Sequence, residues 1–386
     1  MKILVLLYAF FLTGVCNAQS LKTENVVLIT IDGLRWQEVF RGVDEGLLEN
    51  KEYTKGVKEL REKFWNNDKN KRAELLMPFL WNTIAKQGVL IGNRDKGSYM
   101  NVTNPAVVSY PGYNEIFTGF GDPSIDSNKK IWNPNVNVLE WIESQPGFSD
   151  SVSAFGSWNA LPYILNIQRA TSLIVNSGFK PLTGDLSDHE KSLNQLLVDT
   201  LGTSENTRFD SFTQGYAIEH IKKQKSRLIY IGYGDTDNFA HDGRYDEYVK
   251  AINRSDRFIA QVWNSLQQDP KYKDKTTLIV TTDHGRGELP QHSWKHHGSV
   301  LYMTQSDSKD YEPYKKTGIV GSDQIWAVVM GPDTLNKGLI QRKQPWGQNQ
   351  LAATVASFFN LDYNQFQKKA GAPITAVINN GEVDLQ

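Results

Sequence analysis

Three runs of apolar, largely β-branched residues each break off at an acidic residue, and this recurrence constrains the fold more than any other feature of the chain. Asn25–Ile31 (NVVLITI) is followed by Asp32, and Arg227–Tyr233 (RLIYIGY) runs into an acidic stretch containing Asp237. Leu278–Thr282 (LIVTT) delivers Asp283 and His284 to a turn made by Gly285, Arg286 and Gly287. Runs without polar alternation suit strands covered on both faces. In open α/β sheets the carboxyl ends of such strands gather along one edge, where ligands bind. Three carboxylates far apart in sequence are therefore expected to meet.

The intervening segments read as helices and further strands. Met77–Gly88 (MPFLWNTIAKQG) has helical spacing and a terminal glycine, which predicts a helix closed by a Gly C-cap. Val89–Ile91, Ser151–Phe155 and Ile325–Met330 read as strands, the last stopped by Gly331-Pro332. Residues 186–225 read as mostly helical with a break near 203–207, and Leu351–Phe359 as an apolar helix. Asp246–Gln268 predicts a long amphipathic helix with Tyr248, Ile252, Ile259 and Val262 on its apolar side. The charged segment 41–72 reads as a solvated helical insertion. Strand and helix alternate throughout, which predicts one doubly wound α/β domain over residues 19–386, with a mostly parallel central sheet flanked by helices and an insertion at about 41–75.

Residues 1–18 combine Lys2, an apolar core from Ile3 to Leu12 and small residues leading to Ala18. The pattern predicts a secretory signal peptide cleaved after Ala18, since the apolar run is too short to span a bilayer. Cys16 offers a minor alternative, a lipid-modified cysteine, although Val15 is bulky for that processing. As the only cysteine, Cys16 leaves the cleaved chain without an internal disulfide, so stability is expected from core burial and metal. No later stretch is long and apolar enough for a membrane helix. The expected location is the periplasm or the exterior. A net charge of -1 offers no field for a polyanion, so nucleic acid is not expected as a dedicated partner. Oligomeric state is not legible.

The segment Asn104–Gly119 contains Pro111, which fits the first turn of a helix and puts Ser109 at its N-terminal edge. A hydroxyl there lies in the positive end of the helix dipole, which favours an anion such as phosphate; the plainer reading is an N-capping serine. Five of the seven histidines fall close to the acidic strand ends: His241, His284, His292, His296 and His297. Asp237 and His241 also read as a surface i, i+4 pair, and Asp235 either orients a histidine or caps a turn. Together Asp32, Asp237, Asp283, three histidines and Ser109 offer oxygen and nitrogen ligands without sulfur. That set is enough for two divalent metal ions and suits zinc, with manganese or iron also in range.

LITIDGLR (Leu28–Arg35), SYPGYNEIFTG (Ser109–Gly119), DNFAH (Asp237–His241), TTDHGRG (Thr281–Gly287) and HHG (His296–Gly298) occur in the order found in the alkaline phosphatase superfamily. The chain resembles that superfamily, and most of all its nucleotide pyrophosphatase/phosphodiesterase branch and related exported phosphatases. The resemblance implies a phosphatase or phosphodiesterase that acts on a small phosphate ester through a phosphoserine. Asp32, Asp283 and His284 would hold the metal that the nucleophile Ser109 touches, and Asp237, His241 and His297 would hold the other. His296 and His292 compete with His297 for the last place. Asn128 is the nearest match to the family's asparagine for a phosphoryl oxygen, and Arg286 is a further candidate for phosphate contact. The phosphodiesterase branch has Thr before Phe-Pro-Asn where this chain has Ser109-Tyr110-Pro111-Gly112, which opens the choice of monoester or diester. Sulfatases of the superfamily use Cys/Ser-x-Pro-x-Arg, and Tyr113 stands where the arginine would be. Cofactor-independent phosphoglycerate mutases share a related metal core, but an export signal argues against that role. The non-enzymatic alternative is an exported binding protein with structural metals and glycan-binding aromatics.

Overall fold

The computed structural model describes residues 21–200 and 204–379, so the expected signal segment lies outside the described residues. The central sheet has eight strands: β1 (Asn25–Ile31), β2 (Val89–Ile91), β3 (Val152–Gly156), β4 (Ile174–Ser177), β5 (Leu228–Tyr233), β6 (Thr276–Thr281), β7 (Ala327–Met330) and β8 (Gly338–Leu339). Their spatial order is β8-β2-β7-β6-β1-β5-β3-β4, with β7 antiparallel to both neighbours and every other pairing parallel. This is the mostly parallel, doubly wound α/β sheet that the sequence predicts.

The apolar runs are explained by two cores, one on each face of the sheet. In β1, Val27, Ile29 and Ile31 enter one core while Val26 and Leu28 enter the other. Successive side chains of a strand point to opposite faces, so a strand buried twice has no polar position to offer. Each such aliphatic contributes about 1.5–3 kcal/mol relative to exposure. Register then sets the site: Ile31 pairs with Tyr233 and Thr30 with Thr281, so Asp32, the 234–237 turn and Asp283 leave the sheet along one edge.

The helices that matter for that edge are α1 (Ser109–Thr118), α2 (Asp188–Asp199), α3 (Asp210–Lys223), α4 (Asp235–His241), α5 (Tyr245–Gln267) and α6 (Leu351–Phe358). Residues 36–76 form four short helices whose apolar side, including Leu47, Leu48, Leu60, Phe64 and Leu76, packs into the first core. No helix among the described residues is long and apolar enough to cross a membrane.

Two elements depart from expectation. The Met77–Gly88 segment is a π-turn over Leu80–Ile84 followed by one α-turn, and Gly88 is extended (φ -143°), so no left-handed cap closes it. Buried Asp256 accepts from the amides of Phe79 (2.8 Å) and Leu80 (2.9 Å), fixing the start of that turn from outside. The expected strand Ile325–Met330 is divided: Gln324–Ile325 joins a small second sheet and Ala327–Met330 is β7. Trp326 sits between them, buried, with its indole N–H donated to the Leu34 carbonyl at 2.9 Å.

Candidate metal centre

Ser109 occupies the first turn of α1, after Val108 as N-cap, and is buried. It is not a capping serine: its hydroxyl lies 3.2 Å from His284 Nε2. Close approach of α1 to the β6 edge requires Gly112, where a Cβ would meet the Asp283 carbonyl oxygen at 2.6 Å. The adjacent amide of Tyr110 donates to Asn128 Oδ1 at 2.8 Å, which binds the 128 loop to the turn that carries Ser109.

Around His284 the acidic strand ends converge. Asp32 Oδ1 and Asp283 Oδ2 each lie 3.4 Å from His284 Nε2, and both oxygens are buried with no hydrogen-bond partner. Their sister oxygens are committed: Asp32 Oδ2 accepts from Tyr113 Oη (3.0 Å) and Asp283 Oδ1 from the Gly33 amide (3.1 Å). Each carboxylate is thus held by one oxygen and presents the other. His284 Nδ1 faces its own turn at the Gly285 carbonyl (2.9 Å), which leaves Nε2 directed at the two free oxygens. Orphaned buried acceptors cost about 1–3 kcal/mol each unless something positive completes them. The donor set fits a divalent cation.

A second donor group adjoins the first. Asp237, His284 and His297 present atoms within 4.8 Å of one another, as do Asp32, Asp283 and His284. His241 Nε2 lies 3.4 Å from Asp237 Oδ2 and 3.1 Å from His297 Nε2. Val107, at φ 57°, turns its carbonyl to His297 Nδ1 (3.3 Å), so His297 offers Nε2 as an acceptor. A β-branched residue in the left-handed region is strained, and here the strained carbonyl orients the His297 ring. Two imidazole nitrogens at that separation need a cation or a proton between them.

The electrostatics agree. Burial, and then the neighbouring carboxylates, push Asp283 well above the usual range and Asp32 above it as well. Burial alone would lower His284, but Asp283, Asp32 and Asp237 outweigh it and hold the imidazole at about 9. Asp237 is also desolvated, yet His241 and Arg286 hold it well below the carboxylate range. Burial and His284 drive His297 far down. Burial and mutual repulsion thus set Asp32 and Asp283 against ionising together, and a bound cation would relieve that opposition.

One expectation needs correction, and two alternatives left open by the sequence are decided. Arg286 is not free for phosphate: it is buried, and its guanidinium is committed to Asp237, the Trp294 carbonyl (2.9 Å) and the Lys295 carbonyl. It braces the Asp237 carboxylate from behind. Asp235 orients no histidine; it pairs with Arg254 (2.8 Å) and accepts from the Asp210 amide (3.3 Å). His296 does not face the cluster as His297 does, since its ring packs edge-on against Tyr311 at 5.5 Å and near Tyr314. His292 lies against Tyr314.

Several supports were not singled out in the sequence. Gln348 donates to the Asp283 carbonyl (2.7 Å), and Thr236 Oγ1 to the Asp32 carbonyl (2.6 Å). Buried Glu115 accepts from the amide and hydroxyl of Thr103 and from Asn104, whose own Oδ1 holds the amides of Ala106 and Val107. Of these, Tyr113 carried a signal: it stands one helical turn after Ser109, on the same face. An open cleft, lined among others by Asp32, Ser109, Asn128, Lys130, Trp158 and His241, leads to the cluster.

Comparison with known proteins gives a consistent placement. Residues 198–303 match the metalloenzyme superfamily. A stretch of 72 residues is 33% identical to the 2,3-bisphosphoglycerate-independent phosphoglycerate mutase of Gracilaria tenuistipitata var. liui, covering 19% of this chain and 13% of the mutase. A stretch of 71 residues is 34% identical to the same enzyme of Ehrlichia canis (strain Jake), covering 18% and 13%. The chain therefore matches only a small part of the length of these relatives. By structure it is similar to wild-type alkaline phosphatase PafA, with a TM-score of 0.55 and 13% identity over 93% of this chain and 99% of that one. It is also similar to the phosphonate monoester hydrolase of Agrobacterium radiobacter (TM-score 0.51, 13% identity, 94% and 78% covered). A 2-O GAG sulfatase matches with a TM-score of 0.52 and 11% identity over 94% and 75%. Over 93% of its length the chain thus has a fold similar to that of alkaline phosphatase PafA, and its residues 198–303 match the metalloenzyme superfamily.

Proposed function

We propose that the chain is an exported, metal-dependent hydrolase of phosphoric esters that works through a phosphoserine on Ser109. The observation that carries this reading is the Ser109 hydroxyl 3.2 Å from His284 Nε2, beside two buried carboxylate oxygens without partners. Asp32, Asp283 and His284 would hold one divalent ion, and Asp237, His241 and His297 the other, with zinc the natural choice for such ligands. Bound there, two ions would supply Lewis acidity, favouring loss of the serine proton and offsetting the charge that develops at phosphorus. The chain does the rest. The α1 turn presents Oγ to the cleft, and Asn128 and the helix N-terminus line the approach of an anion. Oγ gives up its proton and bonds to phosphorus as the bond to the ester oxygen breaks, and that oxygen takes up a proton and leaves as the alcohol. Water then attacks phosphorus, the Oγ–P bond breaks, the water's proton restores the Ser109 hydroxyl and the phosphate departs. The signal-like residues 1–18 support export.

The test is a side-by-side assay of an aryl phosphate, a diaryl phosphate, a dinucleotide and an aryl sulfate on zinc-loaded protein, with Ser109→Ala as control. Ser109→Ala is expected to keep its metal content by elemental analysis and to lose turnover by several orders of magnitude. Full activity in that variant, with metal bound, would remove Ser109 from the chemistry.

A further inference from the structure

We propose that Lys130 reads the charge of the substrate and makes the site selective for phosphate monoesters over diesters. The inference rests on phosphoric ester hydrolysis at Ser109 and adds the substrate class. Among the described residues that line the cleft, Lys130 is the one cation; the others are neutral or belong to the acidic and histidine donor groups. Arg286, the nearest alternative, is buried and committed to Asp237 and two carbonyls.

Lys130 is exposed, yet the backbone that carries it is fixed on both sides to the nucleophile's helix. Two residues before it, Asn128 Oδ1 accepts from the Tyr110 amide at 2.8 Å; one residue after it, the Ile131 carbonyl accepts from Tyr110 Oη at 2.6 Å. Tyr110 is the residue that follows Ser109, so the loop and the nucleophile move as one piece. Across the cleft, Lys130 Nζ donates to Asn206 Oδ1 at 2.8 Å, and that oxygen also accepts from Asn159 Nδ2 at 3.2 Å. Nζ makes no ion pair among the described residues, and an ammonium has three donors. A neutral amide oxygen locates the ammonium without neutralising it. Lys130 therefore brings to the cleft a positive charge that no carboxylate pairs with directly, with donors to spare, on the loop that is tied to Ser109.

A phosphate monoester has a second pKa of about 6, so above that pH its phosphoryl oxygens carry nearly two negative charges. A diester carries one, and one of its oxygens is an ester oxygen bearing a second organic group. An ammonium in the cleft that Ser109 also lines complements the dianion through charge-assisted hydrogen bonds. Against a diester the same ammonium meets a weaker charge and bulk it must move aside.

The experiment compares zinc-loaded wild type, Lys130→Gln, Lys130→Arg and Ser109→Ala on 4-nitrophenyl phosphate and bis(4-nitrophenyl) phosphate, which share a leaving group. Wild type is expected to prefer the monoester in kcat/KM. Lys130→Gln is expected to lower the monoester-to-diester ratio about 10- to 100-fold, the worth of a hydrogen bond to a charged group. Lys130→Arg keeps most of the ratio, because the charge remains. Thermal unfolding of the variants reports on folding, and an exposed side chain predicts no change there. Ser109-dependent turnover with the ratio unchanged within about threefold in Lys130→Gln, or a wild type that prefers the diester, would overturn this inference alone. Turnover that is absent, or that survives Ser109→Ala, would overturn the parent reading and this one with it.

Discussion

Arg286→Lys separates a ligand brace from a substrate-binding arginine, because the two roles fail in different assays. The wild-type guanidinium serves Asp237 and the carbonyls of Trp294 and Lys295 at once, in a buried position. A lysine keeps the charge but offers a point donor in place of a planar fork, so it can serve Asp237 or a carbonyl, not all three. At least one buried acceptor, and at most two, lose their donor at about 1–3 kcal/mol each, which gives an expected loss near 3 kcal/mol. The assay is urea unfolding of the metal-loaded protein, paired with zinc content and kcat/KM. The midpoint is expected to fall, zinc is lost from the site that contains Asp237, and the drop in kcat/KM follows the drop in occupancy. A variant with the wild-type midpoint and full zinc but a raised KM would show that Arg286 contacts substrate, and the bracing account would be wrong.

Gly33→Ala tests the crowding behind the two donor groups. At φ +60° a Cβ there would meet Arg286 Nη1 at 2.6 Å and Asp237 Oδ1 at 2.9 Å, so reduced zinc content and at least about tenfold lower activity are expected; unchanged zinc stoichiometry would contradict the packing. His220 supplies a pH test far from the metal site. Burial holds it at about 4 against an ordinary value of 6.5, so its neutral form stabilises the fold above pH 6.5 and that stability is lost as pH falls toward 4. At about 1.4 kcal/mol per unit this is about 3 kcal/mol, and His220→Gln should shrink the stability difference between pH 7 and pH 4 by that amount; equal pH dependence in urea unfolding of both proteins would refute it.

What the sequence revealed followed from burial. β1, β5 and β6 are buried on both faces, so their apolar runs, and the acids that end them, stand out in the order of residues alone. β4 does not, because Ile174 and Val175 are only half-buried and the strand is four residues long. The donor residues were legible as types at strand ends, but their aim was not. His296 and His297 are equivalent on paper; only the course of the chain through a loop without periodicity turns one ring to Asp237 and the other to Tyr311. The same loop supplies the carbonyls that occupy Arg286, so nothing in the order of residues distinguished a brace from an anion binder. The split at Trp326 was hidden for a related reason: a tryptophan in an apolar run looks like strand core, and its hydrogen bond to Leu34 is long-range.

The position of β1 in the sheet has a consequence for how the protein is made. It is the first strand of the sheet in chain order, yet its partners are β5 and β6, with Val26 lying beside Leu228 and Thr277. At ~5–20 residues per second of synthesis, about 200 residues separate β1 from its first neighbour, a wait of roughly 10–40 s. During that interval NVVLITI, buried at every position in the finished molecule, has neither of its native partner strands. A short, uncharged, β-prone segment left unpaired is prone to pair with its copies on other chains. The strand order therefore requires that β1 be kept solitary until both β5 and β6 are available.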